Sequence, residues 1–355
     1  MKTRLVKVDR FLNYKIACWS GRCPKPEEIQ NPEVGKLASR LKGSSYKETL
    51  TNILDWEGRN IVFWTERHPL ETLLGQFVVL SMIIGVFVFF GLIIFVALIY
   101  HSLNLLLTIT TWYTPIWITI MLTGVVLILA IMIQIIHSNR KIPILEGLRN
   151  AFSFSININF LLEKKLGVCR DSAKLTASLL LNIYPDAEIY FASAPSHIAT
   201  GIVVENRLYM LDQRLPILTI DGWKKYRHLE GKLHKLGNTS IEEVDPKGFL
   251  SKTGNISPDK QTLAKLTQTM LDLLKIKEQT NGTGDLLVTV RLKKGMSLYQ
   301  DDELVNYSLS RWLQAKISSE LIDMNQIAKI EVTSEKEDII FRIYLGLKLL
   351  SANKE

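Results

Sequence analysis

The chain has 355 residues, 47% of them hydrophobic, and its 43 basic against 35 acidic side chains leave a net charge of +8. That length supplies one large domain or two moderate ones with a real core. The positive balance reads as solubility, with weak attraction to anionic lipid secondary, and no nucleic-acid partner is expected; without a Gly-rich phosphate loop or an HExxH pattern, no nucleotide or metal cofactor is called for.

The opening stretch MKTRLVKVDRFLNYKIACWSG lacks the apolar segment of a secretory signal. Cys18 and Cys23 are spaced C-x4-C with no histidine or further cysteine close by. Two ligands do not make a zinc site, so both read as ordinary thiols. The first predicted element is a helix in SSYKETLTNILDWEGRNIVFW. Ser45 serves as N-cap and Glu48, three residues on, completes a capping box. Leu50, Ile53, Leu54 and Trp56–Glu57 form the apolar face, and NIVFW leaves the helix as a short extended piece.

From Thr72 to Asn139 there is no Asp, Glu, Lys or Arg. Two apolar runs fill this block, at about 73–100 and 114–136. Each meets the roughly 20 residues a helix needs to cross a bilayer, and Tyr100, Trp112, Tyr113 and Trp117 fit an interfacial belt. The expectation is a two-helix transmembrane hairpin over 73–138. Thirteen Lys and Arg precede it, Arg140, Lys141 and Arg149 follow it, and the connecting loop has none. By the positive-inside rule both termini are cytoplasmic, in an integral membrane protein of the cell membrane with lipid bilayer as one partner.

Beyond the hairpin, PILEGLRNAFSFSININFLLEKKLG reads as mostly helical. A helix opening at Cys169 follows, closed by Pro185. Three strands come next in AEIYFASA, HIATGIVV and LYMLD, the last two joined by a turn-like ENR. After a loop around DPKGFLSKTGNISPDK, Ser257-Pro258 starts a helix with Leu263, Leu266, Met270 and Leu273 on one face. The rest reads strand (286–292), helix (about 302–318), strand (327–332) and strand (339–345). Four segments result: 1–72, the hairpin at 73–138, a core at 139–245 and an α+β extension at 246–355.

The chemistry gathers around Cys169. A catalytic thiol must ionise near neutral pH, and the N–H groups and dipole of a helix N-terminus favour the thiolate. An adjacent imidazole is the other requirement, first as base and then as acid. Of six histidines, His101 and His137 flank the apolar runs, His68 precedes a proline, and His228 and His234 lie in the charged stretch KKYRHLEGKLHK. His197 alone opens an apolar strand, and Asp212 closes the return strand fifteen residues later. An ideal ladder leaves the two several residues short of facing each other, which calls for a bulge, a strand end or strong twist. A helix-opening Cys, a strand-opening His and a strand-ending Asp follow the order of triad logic for thiol acyl transfer.

At these residues the sequence resembles the transglutaminase-like family of papain-fold thiol enzymes. Gly167, Cys169, Asp171 and Ala173 match its G-x-C-x-[D/E]-x-A motif, and HIATGIVVENRLYMLD matches its strand-opening His and strand-closing Asp. LTNILDWEGRNIVFW is similar to the family's segment ahead of the cysteine, with Phe63 where Tyr is common. Ile198 and Ala199 follow His197 where the family often has an aromatic. The resemblance implies an α+β papain-like core, interrupted by the hairpin and followed by the C-terminal extension. It further implies Cys169 as nucleophile, His197 as base and acid, and Asp212 as orienting group, with no cofactor.

Two functions follow as expectations. One is a membrane-anchored thiol enzyme acting on amide bonds of proteins or peptides, as a cysteine protease or by acyl transfer to an amine. The other is a catalytically inactive binding or scaffold protein of the same fold. A channel or transporter has little support, because the apolar runs contain no charge for an ion path.

Overall fold

The computed structural model describes residues 23–64, 91, 124, 156–194, 197–227, 232–237, 240–249, 260–276, 286–298, 302–319 and 327–345. They fall into two units: Met1–Ile61 with Cys169–Glu355, and Val62–Val168.

In the larger unit, α1 (Pro32–Leu41) starts on Asn31, whose side chain accepts from the Glu33 N–H at 2.9 Å. Pro32 takes the first helical position, where the lost N–H has no intrahelical partner anyway. α2 (Tyr46–Asn60) starts on Ser45, whose hydroxyl accepts from the Glu48 N–H at 3.2 Å. The other half of the box lands one residue earlier than expected: Glu48 Oε2 accepts from both the N–H and the hydroxyl of Ser44, each at 2.7 Å. Leu50, Ile53, Leu54 and Glu57 are buried along one face of α2, the three- and four-residue spacing of a helix stripe.

In the smaller unit, β1 (Val62–Phe63) pairs in parallel with β2 (Leu166–Gly167), Val62 opposite Leu166. β1 is the extended exit foreseen for NIVFW. Between them in sequence, α3 (Ile158–Lys164) begins on the Asn157 cap and ends at Lys165 in the left-handed region, φ 58. The Trp64 and Phe160 rings meet at 5.8 Å.

The larger unit resumes with α4 (Cys169–Ile183), buried at every residue from Asp171 to Leu180. Six strands follow: β3 (Ile189–Ala194), β4 (His197–Val204), β5 (Arg207–Leu211), β6 (Leu218–Thr219), β7 (Lys232–Leu236) and β8 (Ile241–Val244). They form one antiparallel sheet in the order β6-β5-β4-β3-β7-β8. Glu205 and Asn206, φ 50 and 63, make the β4–β5 turn, the doubly left-handed geometry that matches strand twist. Side chains alternate across β4. Thr200 donates to the Ala173 carbonyl of α4 at 2.6 Å, while Ala199 joins Tyr190 and Met210 in the core of the opposite face.

α5 (Ile220–Arg227), α6 (Lys260–Leu274), β9 (Leu286–Leu292), α7 (Glu303–Ser319), β10 (Ile327–Glu335) and β11 (Asp338–Leu345) complete the described chain. The last three strands form a second antiparallel sheet in the order β10-β11-β9. Leu266 and Met270 of α6, Leu313 of α7 and Phe341 and Ile343 of β11 belong to the same buried cluster as Met210, Trp223 and Leu233. The C-terminal elements therefore share the core of the six-stranded sheet. Leu271 rather than Leu273 lies on the buried face of α6; Leu273 is 38% exposed. Asp302 pins this region to β5. Its carboxylate accepts from Tyr209 Oη at 2.8 Å and Arg207 Nη1 at 2.5 Å, and caps α7 through the N–H groups of Leu304 and Val305.

An α+β fold built on sheets is observed, but the membrane part of the expectation is corrected. Among the described residues no helix is long and apolar enough to cross a membrane. α7, at 17 residues, still falls short of the roughly 20 required and carries Glu303, Arg311 and Lys316. The transmembrane hairpin interrupting the core, the integral-membrane location and the cytoplasmic placement deduced from it are not supported. The segment 73–138 itself, apart from Gly91 and Gly124, lies outside the described residues.

Candidate thiol site

Cys169 is the first residue of α4 and is only partly exposed. Burial pushes its thiol pKa up. Against this act a hydrogen bond and positive charge from His197, the backbone N–H of Ile198 and the Arg170 guanidinium, and the balance holds the thiol below its ordinary value. The thiol and the imidazole predicted to serve it thus stand in contact, brought together where the start of a helix meets the start of a strand.

His197 opens β4, as its sequence predicts. Its Nε2 lies 2.7 Å from Asp212 Oδ1, with both side chains nearly buried, at 11% and 7% exposure. A carboxylate can only accept, so Nε2 carries the proton and Nδ1 is left for the thiol. Of the bulge, strand end or strong twist expected, the strand end is observed: β4 opens at His197 and β5 ends at Leu211. Thr200 pairs with Leu211 without a register shift, so Asp212, one residue on, stands opposite Ala199. His197 is then its diagonal neighbour on the same face, a separation that long side chains span.

Trp223, on α5 and 0% exposed, had no place in the expected site. Its Nε1–H donates to Asp212 Oδ2 at 2.9 Å, and its ring stacks beside the His197 imidazole at 6.3 Å. Each Asp212 oxygen therefore has a donor, and the indole covers the His–Asp pair with apolar surface. Nothing in IDGWKKYR distinguishes this tryptophan from a core residue; only the fold brings it to Asp212. Gln213, φ 64, turns the chain immediately after Asp212.

His234, on β7, pairs with Phe191 of β3; His68, His101, His137 and His228 lie outside the described residues. Cys23 is buried and not disulfide-bonded, and Cys18 lies outside the described residues. Among the described residues no group of three or more His, Cys, Asp or Glu is placed to hold a metal ion.

Residues 32–239 match a family described as a transglutaminase-like domain. The chain is 25% identical over 323 residues to the UPF0252 protein MJECL39 of Methanocaldococcus jannaschii, covering 86% of this chain and 90% of that protein. It is 29% identical over 212 residues to the UPF0252 protein PH0672 of Pyrococcus horikoshii, covering 51% of this chain and 68% of the relative. No solved structure matches the chain.

Proposed function

Because the chain belongs to the family of transglutaminase-like domains, we propose that it is a thiol enzyme acting on amide carbonyls of proteins or peptides, with Cys169, His197 and Asp212 as its triad. Cys169 Sγ attacks the carbonyl carbon while its proton passes to His197. The tetrahedral intermediate collapses, His197 gives that proton to the leaving amine, and an acyl-thioester remains. Water or a second amine then attacks the thioester, loses its own proton to His197, and releases the acyl group as the thiol is restored. Asp212 holds the imidazole tautomer and stabilises the imidazolium. The N–H of Cys169, at the start of α4, is the proposed oxyanion donor. Peptide hydrolysis and transfer to an amine share every step but the last acceptor.

The observation that carries this reading is the chain of contacts from Trp223 through Asp212 and His197 to a thiol held below its ordinary pKa. The test is alkylation by iodoacetamide from about pH 5 to 9, followed by peptide mass spectrometry, in the wild type and His197→Ala. Cys169 is expected to label about tenfold faster than Cys18 and Cys23 below pH 7, an advantage lost in the variant. Labelling no faster than the other two, and indifferent to His197, would return Cys169 to an ordinary structural thiol.

A further inference from the structure

A second carboxyl group lies behind the triad and takes no part in the mechanism above. Glu57, near the end of α2, is 1% exposed. Its Oε1 accepts from the Thr176 hydroxyl of α4 at 2.6 Å; its Oε2 is buried without a hydrogen-bond partner. The next residue, Gly58, lies so close to the loop after β5 that a Cβ there would stand 3.3 Å from Arg214 Cγ and 3.6 Å from the Gln213 carbonyl. Glu57 thus touches the helix that carries the thiol, beside the turn that follows Asp212.

Two carboxyl groups near each other in a buried site do not both ionise readily, and their surroundings decide which one does. Asp212 receives the imidazole and indole N–H groups; Glu57 receives one hydroxyl. Burial raises the Glu57 pKa to about 8 despite the Thr176 hydrogen bond, and the charge of Asp212 adds to the rise. Cations on the same two helices have other partners: Lys174 of α4 pairs with Glu28, Arg59 of α2 with Asp55, and Arg170 of α4 acts on Cys169. Arg214 is exposed, and Asp171 of α4 is buried and acidic.

We infer that Glu57 is a positioning residue of the thiol site, the uncharged member of a carboxyl pair, clasping the Cys169 helix through Thr176 while Asp212 alone supplies the negative charge for His197. The inference rests on Cys169 being the activated thiol. It says why a carboxyl is tolerated at a fully buried position: uncharged, it braces α4 without competing with Asp212 for the imidazolium. Ionised, it would set a second negative charge behind the site, disfavour the thiolate and draw water toward α2 and α4.

The test is the pH profile of Cys169 alkylation in the wild type and in Glu57→Gln, which keeps the shape and can never ionise. The profiles should coincide below pH 7, with the wild type falling about threefold below Glu57→Gln above pH 8, as a nearby buried charge requires. A second measurement uses the wild-type fold alone: carboxyl carbon NMR of glutamate-labelled protein should show one group titrating near pH 8, moving to lower pH in Asp212→Asn because the coupling is mutual. Coincident profiles across the range, or no glutamate titrating above the usual carboxylate range, would overturn the inference while leaving the thiol reading intact. If wild-type Cys169 labels slowly at every pH, the thiol reading itself fails and this inference with it.

Discussion

Replacing Glu57 by Gln has a consequence for folding that needs no substrate. In the folded protein Glu57 keeps its proton up to about pH 8, against an ordinary value of 4.5. Below pH 4.5 the group is protonated in both states, and the folded protein has its full stability. As pH rises from 4.5 toward 8 the unfolded chain releases this proton and the folded chain does not, so stability falls; above 8 the loss is complete. Each pH unit corresponds to about 1.4 kcal/mol, so the 3.5 units between 4.5 and 8 give a loss of roughly 5 kcal/mol as an upper figure. Glutamine does not titrate but leaves an amide N–H in the place of Oε2, which costs about 1 kcal/mol if it finds no acceptor. At pH 5 the variant should therefore be equal to or slightly weaker than the wild type, and at pH 8.5 more stable by roughly 2–4 kcal/mol. Urea midpoints at pH 5, 6.5 and 8.5, read with an unchanged slope, measure the crossing. A constant difference at all three values would refute the buried neutral carboxyl.

Two further substitutions separate the parts of the site. Trp223→Phe keeps an aromatic ring but removes the pyrrole half of the indole, with the Nε1–H that Asp212 Oδ2 accepts at 2.9 Å; a hydrogen bond to a charged group is worth about 1.5–3 kcal/mol, and the space left at a buried position adds to the loss. Thermal unfolding should register a loss of at least that order, and the acid limb of Cys169 alkylation should move to lower pH, because Asp212 with one donor fewer favours the imidazolium that accompanies the thiolate. Asp302→Ala removes the acceptor shared by Tyr209, Arg207 and the first N–H groups of α7, with a cap alone contributing about 1 kcal/mol. Denaturant unfolding should show a loss of roughly 3 kcal/mol, with the alkylation profile of Cys169 unchanged, because Asp302 has no contact with the triad among the contacts described above.

The sequence is most readable where one physical rule acts alone. Period-two patterning locates β4 at His197–Val204 and β9 at Leu286–Leu292, and the Ser45 cap locates the start of α2. It fails where several rules compete. The KLHKL stretch carries enough charge to read as a solvated surface, yet it is β7: Leu233 is buried, Lys232 pairs with Glu243, and Lys235, on the same face as Leu233, lies over the Tyr190 ring and pairs with Glu188. In the site, Cys169, His197 and Asp212 were legible from their order along helix and strands. Their approach was not, because local spacing does not reveal a diagonal contact across β4 and β5. Trp223 and Glu57 were legible only as a core aromatic and a helix-face residue; it is tertiary packing that sets an indole on Asp212 and a carboxyl on Thr176. The uncharged block at 73–138 gave the loudest pattern in the chain, but length and apolarity set an expectation of membrane crossing that the described helices do not meet.

The shared core also bears on the order in which a nascent chain acquires its parts. Cys169, His197, Asp212 and Trp223 are all synthesised before residue 224, whereas the cluster that buries Trp223 includes Phe341 and Ile343 from the final strand. These contacts span a long stretch of sequence, and such non-local closure comes late and slowly. During translation the candidate site residues are all present while the cluster that includes Trp223 is still incomplete, and β5 still lacks the hydrogen bond from Tyr209 to Asp302. A chain stopped short of β11 would retain Cys169, His197 and Asp212 in its sequence and lack Phe341 and Ile343 from the shared core. The core around Trp223 therefore closes only when the C-terminal strands are complete.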